Sequence, residues 1–411
     1  MIDNKFIIIL KDLLRQVLSF KYPTDKTLSE FFKTNKKLSQ SERALIADTV
    51  YTILRNYFKL TTVIEAKNLQ AMIAVTWLKL LQLDIDLITK AGINIDQFSK
   101  LEFKDDLLST TEFPNWLNTA LLKKYSQAEI IQLSNIMQKQ APLDLRVNIM
   151  KSNVNSIINE LKKLNLTVEV MPFSPHGVRL WNKSFLAKHK IFLDGLVEVQ
   201  DESSQLATIL LAPKRGEMIV DFCAGSGGKT LAFGMLMRNS GRIYAFDVHE
   251  KRLNNLTPRL ARSGLSNIHP QLIAHENDAK IKRLHGKIDR VFVDAPCSGL
   301  GTLRRNPELK FRQTEEGIKE LAKKQLSILT SASKLLKPGG TLVYATCSIL
   351  EQENQDVVNE FLNNNPDFEL TPVNTTLNIP NLQFKDKYME LFPHVHNTDG
   401  FFAALIKKKM L

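Results

Sequence analysis

The chain has 411 residues, 44% hydrophobic and 24% charged, with 55 Lys and Arg against 43 Asp and Glu for a formal net charge of +12, and only three cysteines. This length supplies two or three domains with cores of their own, and so sparse and odd a cysteine count excludes a disulfide framework and points to a reducing, cytoplasmic setting. The longest apolar stretch, Leu69 to Leu83, is broken by Lys79 and falls short of a membrane span, while the basic excess favours polyanionic partners.

Residues 1 to about 135 read as helical. Apolar residues recur at helical spacing at Ile8, Leu10, Leu13, Leu14, Val17 and Leu18, and again at Ala44, Leu45, Ala47, Val50, Tyr51 and Leu54. Ser39-Gln40-Ser41-Glu42 forms a capping box ahead of the second run. Between roughly 85 and 115 the pattern is irregular and loop-like. Pro114 opens another helical stretch, which Gln127 to Met137 continues.

From about 142 the character changes. Leu143 to Asn148 and Thr167 to Met171 alternate as strands do, Val178-Arg179-Leu180 is a further short strand, and Val154 to Leu164 is an amphipathic helix. This small α+β unit ends near Gly195. Beyond Val197-Glu198-Val199 the chain alternates regularly. Strand runs at 218–222, 242–247, 288–294 and 341–346 are separated by helical patterns at 229–238, 250–262, 318–336 and 352–363, which implies βαβ units and a mostly parallel sheet. Gly400 to Ile406 reads as a last buried strand, with Phe401 and Phe402 as core residues.

The strand Met218 to Phe222 runs straight into Cys223-Ala224-Gly225-Ser226-Gly227-Gly228-Lys229-Thr230. A glycine-rich turn between strand and helix lets backbone approach a ligand at a helix N-terminus. A phosphate-cradling P-loop needs glycine five positions before that of Gly-Lys-Thr, where Cys223 stands. A nucleoside-bearing cofactor needs an acid about 20 residues on to hold the ribose hydroxyls, and Asp247 closes the next strand. Asp278, after the strand-like Gln271 to Ala274, falls where a base edge would lie; its competing roles are those of a turn aspartate, as Asp247's is a helix cap.

Two cysteines follow strand runs: Cys297 in Asp294-Ala295-Pro296-Cys297-Ser298-Gly299, and Cys347 in Ala345-Thr346-Cys347-Ser348. Strand C-termini are where open α/β sheets bind ligands, so two thiols there suggest a nucleophile and a helper. The third, Cys223, is expected to pack beside the glycine loop.

These motifs, in this order, resemble the Sun/Fmu family of RNA cytosine-5 methyltransferases over about 195–411. The resemblance is carried by Val199-Gln200-Asp201-Glu202-Ser203-Ser204-Gln205, Asp221 to Lys229, Asp294 to Gly299 with Gly301 to Glu308, Leu342 to Ser348 with Glu351, Glu353 and Asn354, and Asp399-Gly400-Phe401-Phe402. Gly225-Ser226 stands where the family has Ala-Pro, and loss of that proline raises the ordering cost of the loop. Ser41 to Leu45 with Val50 to Arg55 is similar to the family's helical RNA-binding domain, itself like the antitermination factor NusB.

The resemblance implies an α/β fold: a Rossmann-like methyltransferase domain (197–411), a small α+β RNA-binding unit (139–196) and a helical N-terminal domain (1–138). It implies S-adenosyl-L-methionine held by Cys223, Ala224, Gly225, Ser226, Gly227, Gly228, Lys229, Asp247, Asp278 and Asp294. It further implies Cys347 as nucleophile, Cys297 as helper and Asp294 at the cytosine edge; Arg304 and Arg305, which follow the Pro-Cys loop, are expected on substrate phosphate. The expected function is formation of 5-methylcytosine in RNA, with ribosomal RNA as the expected substrate, in the cytoplasm, with no metal and no membrane; the sequence leaves the oligomeric state open, a monomer being favoured. Another RNA such as tRNA, or an RNA-associated ATPase with a P-loop-like site, are the competing readings.

Overall fold

The computed structural model describes residues 2–181, 188–384 and 387–410, and the chain divides into two compact units. The first comprises Met1–Gln140 together with Thr302–Glu315. Its helices form where the apolar spacing requires. Asn4–Val17 starts at Asp3, whose side chain accepts the Phe6 N–H, and buries Phe6, Ile7, Leu10, Leu13, Leu14 and Val17 along one face. Gln40–Arg55 opens on the Ser39/Glu42 capping box that its sequence announces. The segment read as irregular between 85 and 115 instead holds three short helices, Ile85–Lys90, Asp96–Ser99 and Leu107–Thr111. Side chains of Asp84 and Asp106 cap the outer two; helices of four to six residues are too short to show a periodicity.

Residues 302–315 complete this unit although they follow the Pro-Cys loop in sequence. Phe311 stacks on Phe20 at 4.6 Å and meets Tyr57 and Phe58 edge-on or tilted. Lys310 and Glu112, 4% and 1% exposed, pair at 3.2 Å, and Glu308 accepts the Thr24 N–H at 3.1 Å. Burial lowers Lys310 to about 8 even with Glu112 beside it.

The second unit, Ala141–Gly301 with Glu316–Leu411, carries two sheets. The smaller is antiparallel, β1 (Leu143–Val147), β2 (Val168–Val170), β3 (Gly177–Leu180) and β4 (Val197–Val199), in the order β2-β3-β1-β4. The helix Val154–Lys163 covers it through Ile157 and Leu161. The expected boundary at 196 thus falls one residue before a strand of this sheet. Arg179 on β3 makes two bonds of 2.7 and 2.8 Å to Asp144 on β1 and reaches Glu202 at 3.4 Å, all three buried.

The larger sheet contains β5 (Met218–Asp221), β6 (Arg242–Asp247), β7 (Ile268–Leu272), β8 (Ile288–Asp294), β9 (Leu336–Thr346), β10 (Phe368–Thr371), β11 (Met389–Leu391) and β12 (Phe401–Lys408). Its order is β10-β12-β9-β8-β5-β6-β7, with β11 paired to β12. Strands β5 to β9 are parallel, while β12 lies antiparallel on β9. From β5 the chain builds outward through β6 and β7, then returns to add β8 on the other side. The C-terminal ends of β5 and β8 therefore flank the point where strand order reverses, and a ligand crevice opens there.

Candidate active site

The loop after β5 is shaped by its neighbours. Gly225 and Gly227 take φ of +56° and +81°, and a Cβ on Gly227 would sit 2.1 Å from a methyl of Leu256, so glycine is required there. Asp247, at the end of β6, accepts the Gly225 N–H at 2.8 Å with one oxygen and the His249 N–H at 2.7 Å with the other. It therefore orders the loop and caps the following turn while lining the crevice. Asp278 stands behind the wall: its oxygens accept from Ala274 and Lys280, each at 2.8 Å, and Ala274 does line the crevice.

The crevice is a cavity of about 760 Å³. Its walls include Gly225, Ser226, Gly228, Asp247, Val248, Ile273, Ala274, Pro296 and Ile328, and it reaches Cys223, Lys229, Asp294, Cys297 and Cys347. Val199, Gln200, Asp201 and Ser204 close another side; they had carried the resemblance without a role. A nucleoside-bearing methyl donor fits this lining. The volume suits a ligand of that size. Apolar side chains offer an adenine slot, and three carboxylates, Asp221, Asp247 and Asp294, suit a cationic sulfonium. Asp221, fully buried at the end of β5, takes a hydrogen bond from the Thr230 hydroxyl at 2.6 Å through one oxygen, and its other oxygen has no hydrogen-bond partner. Burial, against the pull of Thr230, raises Asp221 to about 7.

The reacting end lies where β8 and β9 finish. Cys297 Sγ and Cys347 Sγ are 3.3 Å apart. The Cys347 sulfur, with burial behind it, pushes the Cys297 thiol well above its usual value. Lys229 Nζ bonds Asp294 Oδ2 at 2.7 Å. Burial alone would lower Lys229, but Asp294, then Cys347 and Asp221, outweigh it and raise the ammonium above its usual value. Cys223 is pushed well up, by burial first and the surrounding carboxylates next, as befits a packed thiol and not a reactive one. Lys229, engaged by a carboxylate, is not placed as a P-loop lysine would be, and the missing glycine at 223 agrees.

Sequence reading missed what holds the two cysteine loops together. Glu353, fully buried, accepts the Ser298 N–H at 2.8 Å, the hydroxyls of Ser298 and Ser348 at 2.5 Å each, and the Gln325 amide at 3.0 Å. Each serine follows a cysteine, so the repeated Cys-Ser pair was the available signal. Gly301 adds a second tie, donating to the Cys347 carbonyl at 2.8 Å; a Cβ there would strike the Gly400 carbonyl oxygen at 2.0 Å.

Arg304 and Arg305 belong to the helical unit. Arg304 is 4% exposed within the helical unit, its guanidinium donating to the Gln140 carbonyl at 3.4 Å and its own carbonyl accepting from Arg55. A guanidinium enclosed in this way is not presented to solvent, against the expectation that Arg304 meets a substrate phosphate. Arg305 is half-buried, its amide bonded to the Thr302 carbonyl at 2.8 Å. No helix among the described residues is long and apolar enough to cross a membrane.

Residues 208–407 match the family described as 16S rRNA methyltransferase RsmB/F, and residues 113–184 match the ferredoxin-like domain of methyltransferases of the RsmF/B type. The probable ribosomal RNA small subunit methyltransferase B of Synechocystis is 37% identical over 303 residues, 72% of this chain and 67% of that relative. The corresponding protein of Bacillus subtilis is 33% identical over 309 residues, 74% and 68% of the two chains. Among solved structures, PH0851 superposes with a TM-score of 0.82 at 27% identity across 99% of each chain.

Proposed function

The chain belongs to the RsmB/F family of 16S rRNA methyltransferases, and on that premise we propose that it forms 5-methylcytosine in ribosomal RNA. It is an S-adenosylmethionine-dependent methyltransferase with a Rossmann-like catalytic fold. The observation that carries the finer reading is the 3.3 Å sulfur pair at the end of the cofactor crevice, which the half-buried Lys229 ammonium also lines.

Carbon 5 of cytosine is too weak a nucleophile to accept a methyl group unaided. The Cys347 thiolate, facing the Lys229 ammonium, adds to carbon 6 and makes carbon 5 enamine-like. Asp294, held by Lys229, hydrogen-bonds the cytosine edge while charge develops on the ring. S-adenosylmethionine, when bound along Gly225 to Lys229 and Asp247, supplies the methyl group. The neighbouring Cys347 sulfur, with burial, holds Cys297 well above its usual pKa, so Cys297 waits as a thiol while Cys347 adds. Once Cys347 is bonded to carbon 6, Cys297 gives its own proton to solvent, and its sulfur, 3.3 Å from Cys347, takes the proton from carbon 5. Cys347 then leaves and the ring is restored.

The three free cysteines, two of them in near contact, favour the reducing cytoplasm as its location. Bisulfite sequencing of total RNA from a deletion strain and its parent tests the substrate. Loss of methylation at one cytosine of small-subunit ribosomal RNA is the expected result; loss only in tRNA would move the substrate, and no change anywhere would sink the reading.

A further inference from the structure

The cofactor loop is fastened from behind by the small sheet. Arg146 on β1 and Glu198 on β4 are directly paired across the sheet, 4% and 6% exposed. The Arg146 guanidinium bonds the Gln200 side chain and donates to the Gly228 carbonyl at 2.7 Å. Glu198 in turn grips two further guanidiniums, Arg259 at 2.8 Å and Arg262 at 2.7 Å. Of these two, Arg259 reaches onward to the Ser226 carbonyl at 2.6 Å, whereas Arg262 ends at Glu198 and the Phe192 ring. Two carbonyls at the cofactor turn, that of Ser226 in the loop and that of Gly228 at the first residue of the helix Gly228–Leu236, are thus pinned by charge-assisted bonds, and both pins are anchored on β1 and β4.

From this arrangement we infer that Arg146 and Arg259 are positioning residues for S-adenosylmethionine, and that the small sheet, through Glu198 and Gln200, is a working part of the cofactor site. The inference rests on the cofactor reading above. Neither arginine is asked to touch the cofactor; each holds the loop in the shape that does. Binding to a slack loop costs the ordering entropy that the pins have already removed.

Arg259 and Arg262 share one carboxylate, and only one of them holds the loop, so comparing them separates positioning from general loss of charge. Calorimetric titration of the purified full chain with S-adenosylmethionine is the measurement, with thermal melts alongside. Arg259→Ala is expected to weaken binding about tenfold, the loss of one charge-assisted bond, with Arg146→Ala similar. Arg262→Ala is expected to stay within about twofold of the parent while losing comparable thermal stability. Arg259→Lys, which keeps one donor for Ser226, falls between and serves if the alanine variant does not fold. Equal dissociation constants in the Arg259 and Arg262 variants overturn the inference while leaving the cofactor reading intact. Failure of the parent chain itself to bind overturns both.

Discussion

The sulfur atoms of Cys297 and Cys347, fifty residues apart in sequence, approach to 3.3 Å because parallel neighbours β8 and β9 end side by side. Their roles separate in a simple experiment. Cys347→Ala is expected to abolish methylation and to leave no covalent species. Cys297→Ala is expected to allow addition and methyl transfer but to stall elimination, so that a protein–RNA adduct survives denaturing electrophoresis, with full yield only when S-adenosylmethionine is present. The reverse pattern would make Cys297 the nucleophile.

Asp247 has two tasks, and its loss removes both. Asp247→Ala is expected to weaken S-adenosylmethionine binding by about 1.5–3 kcal/mol, the worth of a hydrogen bond to a charged group. Calorimetry reads this directly; an unchanged dissociation constant would reduce Asp247 to a capping residue for the His249 turn.

Arg304→Ala is expected to act on folding. Removing a buried guanidinium leaves a void and strips donors from the helical unit, a loss of about 2–3 kcal/mol in urea unfolding. The dependence of RNA affinity on salt is expected to stay the same, since no phosphate contact is lost. A flatter salt slope with unchanged stability would restore Arg304 as an RNA contact.

Asp221 makes the protein's stability pH-dependent in the unusual direction for a carboxylate. Its pKa rises from 3.8 to about 7 on folding, so between those values the folded chain keeps a proton that the unfolded chain has lost. The contribution is fully present below about pH 4 and disappears as pH rises through 7, a swing of up to about 4 kcal/mol. Asp221→Asn retains an acceptor for Thr230 and is expected to remove that slope. Urea unfolding from pH 4 to 8 measures it, and parallel curves for parent and variant would refute the assignment.

The catalytic sheet was legible because its signals are local. Strands 242–247 and 288–294 are marked at both ends by a change of pattern and by a terminal aspartate, and the structure returns the same limits. Strand β9 begins at Leu336, five residues before its expected start, because a Lys-Pro-Gly-Gly stretch reads as a turn although it continues the strand beyond an irregular pairing with β8. Ser298 and Ser348 were quoted in their motifs, yet nothing adjacent in sequence says that one carboxylate, Glu353, holds both. The burial of Arg304 was hidden for a related reason: a charged pair after a catalytic loop looks exposed until the partners that enclose Arg304, Gln140 and Arg55, are brought from more than a hundred residues away. Burial of charge is a tertiary decision, and short motifs do not record it.

The dependence of the helical unit on residues 302–315 has a consequence for synthesis. A ribosome releases Phe20, Tyr57, Phe58 and Glu112 early, but the Lys310 that neutralises Glu112 emerges 198 residues later, followed at once by the Phe311 ring that covers the aromatic cluster. In the interval the nascent helices hold an open apolar face and an acid with no counter-ion. The part of the chain made first is therefore finished only after the first four strands of the catalytic sheet, β5 to β8, have been made, and a transcript truncated before codon 302 would yield a helical unit that never closes.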